Sequence, residues 1–186
     1  TLFDFDDPGL LVLPYHRVVG GLADSKLEQV RSRLEQMFEV LPVPPDSGAG
    51  VEGLLKTIAG ADIDQKVVGV AGLGEPGLQL LTLKRDQDWR KWGPLAVSEG
   101  WILEEQVLKP VLGDATPQHV DYVHDHRLAL AQVASGEQQL ALLLRPFPMA
   151  GFESVVGAGH LLPRKSTFFY PKLPTGLVIN RLEGIL

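Results

Sequence analysis

Five consecutive aliphatic residues, Leu140-Ala141-Leu142-Leu143-Leu144, constrain this chain more than any other run. A strand with one wet face alternates apolar and polar residues. A strand with no polar residue is buried on both faces and needs a layer packed on each side of its sheet. The segment just before it fits such a sheet. His119 to Val123 reads as a strand, Asp125 as the N-cap of a helix running to Ser135, and Gly136 as its close. Together they read as a βαβ unit, with parallel pairing through a right-handed crossover.

The remaining elements follow from periodicity and punctuation. Leu10 to Leu13 is strand-like. Ser25 and Glu28 form an S-x-x-E capping box, and Leu27, Val30, Leu34, Met37, Phe38 and Leu41 follow at helical spacing until Pro42, Pro44 and Pro45 stop the helix. Asp46 to Gly50 is a loop. A shorter helix from Val51 ends at Gly60. Val67–Ala71 and Leu78–Leu83 are strands joined as an antiparallel hairpin by a glycine-rich link that matches no phosphate-cradling motif. Ser98 opens a helix through Trp101, Leu103, Val107 and Leu108, ending near Pro110 and Gly113, and Phe152, Val155 and Val156 lie on a short helix. The expected fold is α/β (or α+β): a mixed β-sheet with helices packed on its faces, including one antiparallel hairpin and one βαβ unit. Residues 1–186 read as a single domain. Thr1 in place of an initiator methionine, with a strand close behind it, reads as the later part of a longer protein.

Composition narrows the function classes. A net charge of −6 argues against broad nucleic-acid binding, which asks for a basic face. The absence of cysteine excludes disulfides and thiol catalysis and suits a reducing cytoplasm. No apolar run approaches the length of a membrane span. Asp4, Asp6 and Asp7 before Pro8-Gly9 read as a turn, and no metal site is assigned.

The chemistry concentrates in Leu161 to Ile179, LLPRKSTFFYPKLPTGLVI. Arg164, Lys165, Ser166, Thr167 and Lys172 are fenced there by Pro163, Pro171 and Pro174, a rigid run of cations and hydroxyls suited to an anionic ligand. His16-Arg17, between two aliphatic runs where a strand end can present them to a cleft, and His124-Asp125, at the carboxyl end of a strand, are candidate companions. The structural alternative stays open: Phe168, Phe169 and Tyr170 pack into the core or a second subunit, Asp125 caps a helix, and the lysines are solvated.

The elements DDPGLLVLPYHRVV, WILEEQVLKPVLG, VDYVHD and above all LLPRKSTFFYPKLPTGLVI resemble the C-terminal half of the bacterial and archaeal family catalogued as domain of unknown function 1015. They stand in that family's order and span nearly the whole chain. The N-terminal part of the family is similar to the ParB and sulfiredoxin superfamily and to its free-serine kinases, with a G-H-H-R signature that this sequence lacks. His16-Arg17 lies in a different motif. The resemblance implies that the full-length protein is a small-molecule kinase or related phosphoryl-transfer enzyme using a nucleotide and magnesium, to which this portion supplies cations. The competing reading is a binding or homodimerisation domain without chemistry.

Overall fold

The computed structural model describes residues 9–44, 50–74 and 77–172. The aspartate turn at Asp4 to Pro8, most of the Asp46–Gly50 loop and the motif beyond Lys172 lie outside the described residues.

The all-apolar run becomes β7 (Leu140–Leu143), buried throughout in the middle of a six-stranded sheet. Its neighbours are β2 (His16–Val19) on one side and β4 (Val67–Ala71) on the other. Beyond β4 lie β5 (Leu78–Leu83) and the edge strand β3 (Phe38–Pro42), and beyond β2 lies the other edge, β6 (Val120–Val123), giving the order β3-β5-β4-β7-β2-β6. Alternation along β7 divides its side chains between two cores. Leu140 and Leu142 join Val68, Val70, Leu34 and Leu108 on one face; Ala141 and Leu143 join Leu54, Ile58 and Ala129 on the other. The first core is covered by α1 (Asp24–Met37) and by a composite helix made of α3 (Glu99–Ile102), a π-helical stretch Leu103–Leu108 and α4 (Lys109–Leu112). The second is covered by α2 (Gly50–Gly60) and, past the short α5 (Thr116–His119), by α6 (His126–Ala134). Gly69 lets α2 approach, since a Cβ there would stand 2.9 Å from Leu54 Cδ2 and 3.2 Å from Leu143 Cβ.

Three expectations change. Every neighbouring pair of the sheet is antiparallel. The βαβ unit exists as a split one: β6 and β7 run parallel through α6, but β2 lies between them, so the parallel pairing expected from the sequence is replaced by two antiparallel ladders. A strand more than a hundred residues earlier in the chain fills that slot, and nothing local announces it. Second, the helix from Asp24 ends at Met37, and Phe38 to Pro42 turns outward as a strand because β5 supplies a ladder from Phe38↔Leu83 to Pro42↔Gln79. Third, Ser25 lies inside that helix, whose N-cap position is Ala23 with no side-chain cap, so the capping box does not form.

Outside the main sheet, β1 (Leu11–Leu13) pairs antiparallel with β8 (Phe168–Tyr170), after α7 (Met149–Gly157). This ribbon fastens the KSTFFYPK segment against the chain just before Tyr15-His16-Arg17. Among the described residues no helix is long and apolar enough to cross a membrane.

Candidate functional site

Because β2 is an interior strand, its first two residues are pulled inside: His16 and Arg17 are each 2% exposed. The His16 imidazole accepts the Leu144 N–H on Nδ1 at 3.1 Å, which puts its remaining proton on Nε2. Burial, with His126 and Arg17 nearby, pushes its pKa down to about 4. His16 is therefore a neutral, hydrogen-bonded member of the sheet. Arg17 donates from Nη1 to the Tyr15 carbonyl at 2.8 Å, faces Glu104 Oε1 from Nε at 3.4 Å and lies 5.4 Å from the Tyr122 ring. Glu104 sits in the π-helical stretch and also accepts the Tyr122 hydroxyl at 2.8 Å. Burial and that bond raise the Tyr122 pKa to about 12.

A second buried knot adjoins the first. Arg145 follows the apolar run and donates to the carbonyls of Ala61 at 2.7 Å, Asp62 at 3.2 Å and Gln65 at 3.2 Å, and to Glu99 Oε1 at 2.6 Å. Lys66 donates to the carbonyls of Ile63 at 2.5 Å and Val97 at 3.0 Å and lies 4.0 Å from the Trp89 ring. Burial lowers its pKa to about 8 and raises that of Glu99. Sequence reasoning missed all three. The one available signal was a charged residue at the very end of an apolar strand run, Lys66 before VVGVA and Arg145 after LALLL.

Against this interior the KST segment is the outer wall. Lys165 has φ 58°, in the left-handed region that a lysine adopts only at a cost. The turn sends its ammonium over the Tyr15 ring at 4.9 Å and to within 3.5 Å of the Tyr15 hydroxyl. The Ser166 hydroxyl donates to the Pro163 carbonyl at 2.7 Å. Thr167 is partly buried at the entry to β8. Phe168 meets Tyr15 edge-on at 5.5 Å and stacks on His124 at 5.0 Å, and Lys172 lies over Phe168 at 4.8 Å. Both lysine ammoniums are thus held on aromatic faces, and neither meets a carboxylate among the described residues.

The sequence-derived candidates therefore separate into groups. Lys165, Ser166, Lys172 and His124 gather around Tyr15 and Phe168, with Arg17 behind them. Arg164 faces a different cleft, of about 410 Å³, that also holds Glu104, Glu105, Asp121 and Tyr122. Asp125 caps α6 by accepting the Arg127 N–H at 2.9 Å, and its carboxyl pKa is lowered by that bond. Among the described residues no group of three or more His, Asp or Glu is placed to hold a metal. What the arrangement offers chemically is cationic stabilisation of an oxyanion at an aromatic-lined surface.

An antiparallel sheet between helical layers, with a cationic segment strapped over buried arginines, defines an α/β architecture. The chain belongs to the family described as "Protein of unknown function (DUF1015)", whose model matches residues 1–111. That match ends before the Leu161–Ile179 motif. No curated protein matches the chain. A conserved hypothetical protein from Pyrococcus furiosus shares the fold at a TM-score of 0.50 and 13% identity, over 94% of this chain and 62% of that one. A free serine kinase in complex with ADP gives a TM-score of 0.47 at 12% identity, and one in complex with AMP 0.47 at 14%, each over 91% of this chain and 57% of the kinase. Those kinase scores carry no weight for function. The chain spans about three fifths of the length of these solved proteins.

Proposed function

We propose that this protein binds a small anionic metabolite, a phosphorylated one foremost, on the surface made by Lys165, Ser166, Thr167 and Lys172 together with Tyr15, with Arg17 buried behind it. It does so in the cytoplasm, as part of a small-molecule phosphotransferase whose nucleotide and magnesium are held chiefly by other parts of the full-length protein. His124 supports the surface by stacking, and His16 by holding β7 to β2. The observation that carries this reading is Lys165: a strained backbone presents an ammonium that is braced on an aromatic ring and has no carboxylate partner among the described residues. Strain of that kind, which costs on the order of 1 kcal/mol, persists where the surroundings enforce it and is frequent at ligand sites.

A thermal-shift panel of nucleotides and phosphorylated metabolites on full-length protein tests it. The expected result is an upward shift with at least one phosphorylated compound that Lys165→Ala abolishes. A flat response to the whole panel overturns the reading.

One observation favours a non-catalytic dimerisation domain instead. Leu11 and Tyr170, paired in the β1–β8 ribbon, are each 50% exposed and form a small apolar patch. Phe168 and Phe169, by contrast, are packed within the chain. A concentration-dependent dimer in sedimentation that Tyr170→Ser dissolves would support this second reading, and a monomer at high concentration would end it.

A further inference from the structure

Behind the Lys165–Ser166 turn lies a small cavity of about 10 Å³, bordered among others by Tyr15, Arg17, Glu99, Gly100, Arg145 and Ser166. Two of those side chains carry buried nitrogens with no hydrogen-bond partner among the described residues, Arg17 Nη2 and Arg145 Nε. An unpaired buried N–H costs about 1–3 kcal/mol, and more on a charged group, so an acceptor belongs beside them. Gly100 makes room for the Arg17 guanidinium, since a Cβ there would stand 2.4 Å from Nη2. Each of the two guanidiniums faces a carboxylate, Arg17 that of Glu104 at 3.4 Å and Arg145 that of Glu99 at 2.6 Å. Glu99 also borders the cavity, and its Oε1 accepts from Arg145 Nη2 at 2.6 Å. A volume of this size admits roughly one water-sized atom, and not a whole phosphate.

We propose that the cavity is the inner end of the anion site. One oxygen of a carboxylate or phosphate monoester lodges against Arg17 Nη2, the Ser166 hydroxyl forms the lip, and the remaining oxygens stay outside beside the Lys165 ammonium. This rests on the anion-binding reading of the Lys165 surface and adds Arg17 as its buried donor. Ser166 turns from the Pro163 carbonyl to the ligand oxygen as the anion enters.

Titration of full-length protein with inorganic phosphate, and separately with acetate, at fixed ionic strength and followed by calorimetry, tests the two readings apart. Arg17→Gln and Ser166→Val are each expected to weaken phosphate binding by at least about tenfold, the scale of one charge-assisted hydrogen bond. Lys165→Ala weakens it as well, and its effect shrinks with added salt, whereas the Arg17 effect persists because a buried charge is poorly screened. Acetate matching phosphate identifies a carboxylate ligand and phosphate alone a phosphate monoester, and either supports the subsite. Phosphate binding that Lys165→Ala weakens but Arg17→Gln and Ser166→Val leave unchanged overturns the inner subsite and spares the surface reading. No binding of either anion by the wild type overturns both. Where Arg17→Gln does not fold, Ser166→Val decides: unchanged affinity overturns the proposal.

Discussion

The buried guanidiniums of Arg17 and Arg145 and the exposed ammoniums of Lys165 and Lys172 carry the same charge in opposite circumstances. Arg145 donates from both terminal nitrogens to backbone carbonyls and a carboxylate and clamps residues 61–65 to the end of β7. Lys165 and Lys172 rest on aromatic rings at the surface, with water on their other side. The first kind of charge is built into the fold, and removing it leaves a partner stranded in low dielectric. The second contributes little to stability and is free to meet a ligand. Arg17 stands between them, buried like Arg145, but its unpartnered nitrogen among the described residues is the terminal Nη2, whereas that of Arg145 is Nε.

Four measurements sharpen or break that contrast. Arg145→Met should have the largest effect, a loss of about 3–5 kcal/mol in chemical denaturation, because Glu99 is left buried without its cation. A loss below about 1 kcal/mol would mean that the knot is not a structural clamp. Gly100→Ala should follow at about 1–3 kcal/mol, the cost of forcing a methyl into the Arg17 guanidinium.

Third comes the pH dependence. His16 is held neutral with a pKa near 4, so the unfolded chain binds its proton first and stability falls as pH drops from about 6.5 towards 4. Glu99, raised by burial, works in the opposite sense above its ordinary range, so the informative quantity is the difference between wild type and His16→Gln, which should lose the acid-side slope. At the alkaline end, Lys66 near 8 makes stability rise with pH from about 8, until Tyr122, neutral up to about 12 in the folded state, reverses the trend above about 10. Urea midpoints across pH measure both limbs, and a flat alkaline limb in Lys66→Met would assign the rise to that amine. The smallest effect is expected of Lys165→Gly: a change within about 1 kcal/mol, in the stabilising direction because glycine adopts positive φ without strain, alongside weakened anion binding. A large destabilisation would place Lys165 among the structural charges.

Legibility in the sequence followed the range of the interaction. The helix from Val51, the Val67–Leu83 hairpin, the Ser98 cap, which accepts the Trp101 N–H at 3.3 Å, and the Asp125 cap were all readable, because each depends on neighbours within a few residues. Strand β3 was not, since Phe38 and Leu41 satisfy a helical period equally well and only the ladder to β5 decides between them. The candidate site was legible as a list of cations and hydroxyls. That Arg17 would be buried, that Arg164 would face another cleft and that Tyr15 would brace Lys165 were not.

By itself the sequence determined that one strand is buried on both faces, and therefore that helices must cover both sides of a central sheet, because an aliphatic run tolerates no wet face. It also determined that cations cluster near Lys165. Only the tertiary structure decided that β2 separates β6 from β7 and that β8 folds back on β1. Those pairings join residues more than a hundred positions apart, where no local propensity acts, and they alone bring Ser166 over the unpaired nitrogen of Arg17.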